Sequence, residues 1–496
     1  MKGLKLVLLF CCVWLLLVPS ARVEAMPSIQ GKFFPDPSVP VGTWFVGATP
    51  SGETKAPVLF VHGLGGSSST WFQQNDMYDQ AYAAGHPTAF INLHPDRSMW
   101  TNGELLSRKL AEMHRYFGEK IVVVGYSKGG VDMQSALLHY GATPYVEKII
   151  TLGSPHYGSP LADLAFSSWA GWLAAIIGQR NEATASLRTG DMAHFRAQTD
   201  PLARNSHIPV YTLSGTSWGS FGSELFFGGL YLSSFGPNDG AVTVQSSRLP
   251  YSQEIASRAW DHYGMKTGYL VFPYIREQLR GTVQSEPVVE EGNESANIIR
   301  GGEFLAEGTA QFFVEDEVSK MTLSLLASEE LKEATLISPS GVNVSVSDVY
   351  EETEGSVFEG AYTHVFAVDE PVEGEWSIAM HSEDEQTDTG FLAITTIEGG
   401  ISPNIEIAGT NGMVSMSQSK DVVNEDETSY TLYVNDELVA TNMEMGGAAG
   451  DVAPLKRNTS QTLTMNVKGK TKSGKTFERT VIEHRYIDER GRVFHK

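Results

Sequence analysis

Gly125-Tyr126-Ser127-Lys128-Gly129-Gly130 directly follows the β-branched run Ile121-Val122-Val123-Val124. A serine between glycines, where a strand gives way to a helix, is presented for attack. The glycines allow a sharp turn without Cβ clashes, and the helix N-terminus points at developing negative charge. Attack on a carbonyl also needs N–H donors placed where the oxyanion forms. His62-Gly63-Leu64-Gly65-Gly66 closes an earlier strand run, so the N–H groups of Leu64 and of Lys128, the residue after the serine, are the candidate donors. His62 is read as fixing this loop by hydrogen bonding, not as moving protons. If the serine crowns a covered parallel sheet, the acid and then the base are expected to follow it in the chain. His139 falls in the helix that Ser127 opens, His156 comes too early for an acid to precede it, and His194 and His207 precede the last strand–loop unit. His262 follows every core strand and is the candidate general base. Asp239, in the turn-rich Gly236-Pro237-Asn238-Asp239-Gly240, is the candidate acid that holds the imidazole tautomer. Its rival Asp261 is adjacent to His262 and too close in sequence to orient the distal ring nitrogen. Lys128 could lend charge to the oxyanion, against the simpler reading of an i,i+4 surface pair with Asp132. This set is one for acyl transfer through a serine, and it calls for no metal and no cofactor.

These residues need a rigid scaffold. Val58–Val61, Ala89–Leu93, Ile121–Val124, Ile149–Leu152 and Val210–Leu213 are short apolar runs separated by helix-length segments such as Glu104–Phe117 and Val131–Tyr140. Runs apolar on both faces predict an α/β fold, a doubly wound, mostly parallel sheet with helices on each side, over residues 26–284. An insertion at about 160–205 carries Trp169, Trp172, Leu173 and Ile176. That face is too hydrophobic for solvent and reads as a lid over the substrate, the alternative being an ordinary core helix. A polar, acidic stretch at 285–297 reads as a linker. Beyond it, short strand runs with turn residues such as Pro339-Ser340-Gly341 predict two all-β sandwich domains, 298–399 and an Ig-like 400–496. All the chemistry falls between Leu64 and His262, so the β domains are expected to stand apart and residues up to about 284 to fold without them, the alternative being that the β domains pack on the α/β domain and hold the lid or the His262 loop in place.

His62-Gly63-Leu64-Gly65, Gly125-Tyr126-Ser127-Lys128-Gly129, Ser154-Pro155-His156-Tyr157-Gly158-Ser159-Pro160-Leu161-Ala162-Asp163, Asn238-Asp239-Gly240-Ala241-Val242 and Asp261-His262 together resemble the secreted bacterial triacylglycerol lipases and related esterases of the α/β-hydrolase superfamily. The resemblance covers roughly residues 55–280. It implies carboxylic-ester hydrolysis, with the Asn-Asp-Gly aspartate as the acid, and a lid in the stretch after Ser159. Many of these lipases bind calcium through an aspartate two residues after the histidine. Here that residue is Gly264, so the calcium site does not carry over. A polyester depolymerase or an acyltransferase would use the same residues, and a non-enzymatic surface-binding protein would keep only the fold.

The first 25 residues, with Lys2 and Lys5 before the apolar run Leu6–Val18 and Val23-Glu24-Ala25 as a cleavage site, read as a secretory signal peptide. The expected destination is extracellular. Both cysteines, Cys11 and Cys12, lie in that segment, so no disulfide is expected in the secreted chain. Trp169–Ile177 is too short to cross a bilayer, and no stable membrane span is expected, although a lipid–water interface or an insoluble substrate could be a partner. The formal charge of -23 is uneven: residues 26–284 carry 18 Lys+Arg against 19 Asp+Glu, and residues 285–496 carry 15 against 39. Neither half has the basic excess that nucleic acid requires. The acidic Glu383-Asp384-Glu385-Gln386-Thr387-Asp388 lacks the spacing of a calcium loop and reads as a solvated turn.

Overall fold

The β-branched runs become strands of one mixed sheet. The computed structural model describes residues 28–29, 39–52, 55–170, 180–280, 295–346, 348–351, 361–384, 386–401, 405–410, 413–418, 422–444 and 456–495. Strands β1 (Ser28–Ile29), β2 (Trp44–Gly47), β3 (Val58–Val61), β4 (Thr88–Ile91), β5 (Ile121–Tyr126), β6 (Val146–Leu152), β7 (Val210–Gly215) and β8 (Gln253–Arg258) lie in the order β1-β2-β4-β3-β5-β6-β7-β8. From β4 to β8 every neighbour is parallel, and β2 runs antiparallel to β4. Successive side chains on a strand point to opposite faces. Phe60 therefore joins Phe90, Val124 and Ile275 on one face, while Leu59 and Val61 join Leu106, Leu110 and Met133 on the other. Helix α1 (Met77–Ala83) and the helix Gly268–Arg280 cover the first face, and α2 (Met99–Phe117) and α3 (Lys128–His139) cover the second.

The chain leaves β3 for β4 on one side and returns to β5 on the other. Loops after β3 and β5 therefore part at their C-terminal ends and leave a crevice, the usual binding place in such sheets. Both glycine-rich motifs sit at that point.

The C-terminal part is all-β. A four-stranded and a five-stranded antiparallel sheet pack face to face, Phe312, Trp376 and Ile378 meeting Leu323, Phe366 and Ile397. A second five-stranded sheet follows, sharing a core with a two-stranded ribbon through Ile405, Ile407, Leu432 and Met465. The strand Ser295–Leu305 begins inside the stretch read as a linker; residues 281–294, and residues 1–25 that were expected to form a signal peptide, lie outside the described residues. No helix of the described residues is long and apolar enough to cross a membrane.

The expectation that the β part stands apart is not met. Helix α4 (Pro160–Ala165) and the helix Glu224–Leu232 place Leu161, Leu164, Phe227, Tyr231 and Leu232 against Ile299, Leu326, Leu392, Ile394 and Ile482 of the β sheets. Gly190 N–H donates to His484 Nδ1 at 3.2 Å, and Ser460 Oγ donates to Asp191 Oδ1 at 2.9 Å. A Cβ on Gly190 would lie 2.7 Å from the Arg485 Cα, so the α/β and β parts meet there at backbone distance. The reason for the difference is burial: helix periodicity marks a face as apolar without saying what covers it.

Helix α4 also borders the crevice, and a buried carboxyl holds it. Asp163 Oδ1 accepts from Thr189 N–H at 2.9 Å and Oδ2 from Thr189 Oγ at 2.7 Å. Burial pushes this carboxyl up to about 7, against the opposing pull of those hydrogen bonds. In the unfolded chain it titrates near ~4. The folded state thus holds a proton that the unfolded state has lost, and stability from this group declines as pH rises from about 4 through about 7. Asp163→Asn, which stays neutral, should gain several degrees in Tm relative to the unsubstituted protein between pH 5 and pH 8, since 1 kcal/mol moves Tm by about 2–4 °C in a domain of this size. Thermal melts at both pH values check this, and a difference independent of pH would contradict it.

Candidate active site

Ser127 sits between the end of β5 and the start of α3 with φ 51° and ψ −130°. Positive φ is costly for a residue with a Cβ, and such strain persists only where the surroundings enforce it. Here close packing does so. A Cβ on Gly129 would fall 2.4 Å from the His62 carbonyl oxygen, so the first turn of α3 rests directly on the backbone leaving β3.

The three residues expected to act together meet at this turn. Ser127 Oγ lies 3.0 Å from His262 Nε2, and His262 Nδ1 lies 2.8 Å from Asp239 Oδ2. With Nδ1–H donating to the carboxylate, Nε2 is left to accept from the serine hydroxyl. Asp239 is fully buried; its Oδ1 accepts from the N–H groups of Ala241 at 3.0 Å and Val242 at 2.7 Å. The His262 N–H donates to the Asp239 carbonyl at 2.8 Å, fixing the two loops to each other. Asp261 instead accepts from the Gly264 N–H at 2.6 Å, closing the turn after the histidine.

The loop after β3 lies beside the serine. Its Gly63, Leu64, Gly65 and Gly66 line a cavity of about 480 Å³ together with Ser127 and His262. Among the described residues, neither the Leu64 N–H nor the Lys128 N–H has a backbone acceptor, which is the condition an oxyanion donor must meet. His62 fixes this loop as expected: it is buried, donates from Nδ1 to the Gly63 carbonyl at 2.8 Å, and accepts at Nε2 from Leu93 N–H at 3.0 Å. Burial, with a smaller push from the Lys128 charge, lowers its pKa to about 4 against the pull of the Gly63 bond. The ring is therefore neutral at ordinary pH. The Lys128–Asp132 pair is present at 2.6 Å, but it is not on the surface; both side chains are almost fully buried.

The cavity has two characters. Leu161, Ala162, Leu187, Leu225, Phe227 and Val242 form an apolar wall, and Ser69, Thr70, Gln73, Gln74, Asn75 and Lys266 a polar one. The polar wall comes from two short 3-10 turns, Ser68–Trp71 and Gly264–Lys266, and the loop 73–75, and nothing in the residue pattern pointed to it. Of the residues read as a lid, Trp172, Leu173 and Ile176 lie outside the described residues. Trp169 does not line the cavity. Its indole N–H donates to Asn466 Oδ1 at 3.2 Å, and its ring meets Tyr433 edge-on at 5.8 Å.

No protein-family profile and no curated protein matches the chain. Solved structures do. Lipase BlEst2 of Bacillus licheniformis in its propeptide form is 38% identical, with 92% of this chain and 100% of that chain covered and a TM-score of 0.82. The mature form of the same lipase is 52% identical over 49% of this chain and 99% of that chain, with a TM-score of 0.46. The metagenomic carboxyl esterase MGS0156 is 18% identical over 47% of this chain and 77% of that one, with a TM-score of 0.39. With the likeness to BlEst2 running over nearly its whole length, the chain belongs to the bacterial lipase and esterase family of the α/β-hydrolase superfamily and is a carboxylic-ester hydrolase.

Proposed function

We propose that the chain is a secreted hydrolase of lipase type that cleaves acyl esters, lipids among them, through an acyl-enzyme on Ser127. The observation that carries this reading is the hydrogen-bonded chain from Ser127 through His262 to Asp239, opening into a cavity with one apolar wall. Ser127 Oγ attacks the ester carbonyl while His262 Nε2 takes its proton. Asp239 stabilises the imidazolium, and the N–H groups of Leu64 and Lys128 receive the oxyanion. His262 then gives the proton to the departing alcohol. Water repeats the sequence on the acyl-enzyme, releasing the acid and restoring the serine. The apolar wall suits an acyl chain and the polar wall the alcohol. The signal-peptide reading of residues 1–25 supports export.

We further propose that the chain is a precursor, as BlEst2 is in the propeptide form it resembles. Leu161 and Phe227 both line the cavity and belong to the apolar face covered by the β sheets. Removal of the β part would uncover a hydrophobic surface continuous with the site, suited to a lipid–water interface.

Ser127→Ala should abolish labelling by a fluorophosphonate and lower kcat on a p-nitrophenyl ester by about 10⁴-fold or more without changing Tm; labelling that persists would contradict the assignment. Asp239→Asn should lose most of the turnover and Asp261→Asn little, and the reverse pattern would move the acid. Proteolysis within 281–294, followed by separation of the pieces, should leave soluble-ester turnover in the N-terminal piece and raise turnover on emulsified triglyceride. A well-folded piece that loses soluble-ester activity more than about tenfold, ~1.4 kcal/mol, would make the β part a component of the active machinery.

A further inference from the structure

The two N–H groups read as oxyanion donors come from different loops, and catalysis by such a pair depends on their spacing being held to a fraction of an ångström. The loop after β4, residues 92–95, supports one of them. Leu93 N–H donates to His62 Nε2 at 3.0 Å, and Gly65 N–H donates to the Pro95 carbonyl at 3.2 Å. This fixes both ends of the segment that carries Leu64. The same loop is gripped from the other side by Asn102 of α2, whose Oδ1 accepts from His94 N–H at 3.1 Å and whose Nδ2 donates to the His94 carbonyl at 3.0 Å. Asn102 Nδ2 also donates to Asp132 Oδ2 at 2.9 Å, and Asp132 Oδ1 accepts from Lys128 Nζ at 2.6 Å. The line of bonds ends on the residue whose backbone N–H is the second donor.

Stability does not account for a lysine here. A buried ion pair pays a desolvation penalty that apolar residues of the same volume avoid, and replacing both partners is often neutral or favourable. A cation in the first turn of a helix is also set against the helix dipole. Its position does account for it, since Lys128, Asp132 and Asn102 are each no more than 2% exposed and fill the space between α3 and the loop after β4.

We propose that Lys128 is a positioning residue: through Asp132, Asn102 and the loop after β4, its side chain locks the start of α3 to the His62–Gly66 loop and so sets the spacing of the oxyanion hole. The inference rests on the acyl-enzyme reading of Ser127. Lys128 does not touch substrate with its side chain, and its charge is paired with Asp132.

The test is the double variant Lys128→Met/Asp132→Leu in the full chain, alongside the unsubstituted protein and Ser127→Ala. Loss of labelling and turnover in Ser127→Ala establishes the acyl-enzyme reading independently. The double variant removes both charges, so it should keep its Tm within a few degrees and its KM within about twofold. Its kcat should fall about tenfold to a hundredfold, and its affinity for an alkyl boronic acid, which forms a tetrahedral adduct on the serine, should fall by the same factor. A purely structural pair would leave kcat and boronate affinity at the original values in the folded double variant, and that result would overturn the proposal. Equal losses in KM and boronate affinity, a sign of general pocket deformation, would overturn it as well. If the double variant does not fold, Asn102→Ser cuts the relay and spares the ion pair. It should lower kcat and boronate affinity together by about threefold to tenfold, and unchanged values would overturn the proposal.

Discussion

Everything at this site depends on Ser127 holding a backbone conformation it would not choose. At φ 51° the residue is strained, and the strain is offset by packing that admits no extra atom between α3 and the backbone after β3. The same turn delivers three things at once: a hydroxyl above the sheet, the N–H of Lys128, and the start of a helix aimed at the crevice. Had the turn relaxed, the hydroxyl would drop away from His262 and the donors would separate. The sheet order supplies the remaining condition, since the reversal between β3 and β5 puts the two glycine-rich loops side by side.

Around that turn the polar groups are organised by burial. Asp239 has its needs met by two backbone N–H groups and one imidazole, so its carboxylate is fixed and can fix the ring in turn. His62 is the opposite case, a histidine kept neutral by burial and used as a strut. Two histidines within one small site thus differ in role because the ring nitrogens of one meet a carboxylate and the serine while those of the other meet backbone groups.

Much of this was legible in the residues. The β-branched runs are the strands, because apolar residues on both faces leave few alternatives to a covered parallel sheet. The serine motif, the Asn-Asp-Gly turn and the last histidine before the linker come together in space, and His62 serves its loop as expected. What was not legible depends on long-range packing. Asp132 four residues after Lys128 looks like any surface pair, and only the arrival of Asn102 from another helix shows that it is buried. The apolar residues of 161–165 and 224–232 announce a covered face without naming the cover, which is the β part. The polar wall of Gln73, Gln74 and Asn75 is loop, where no periodicity applies.

The central claim is that the serine held at this turn carries the acyl group during turnover, and intact-mass analysis of the full chain, quenched within the first turnovers of a p-nitrophenyl ester, tests it most directly. A burst of p-nitrophenol matching the enzyme concentration, with an added acyl mass that peptide mapping places on Ser127, is the predicted result. Turnover with no covalent adduct under conditions where deacylation is slowed, or an adduct mapped to another residue, would contradict it.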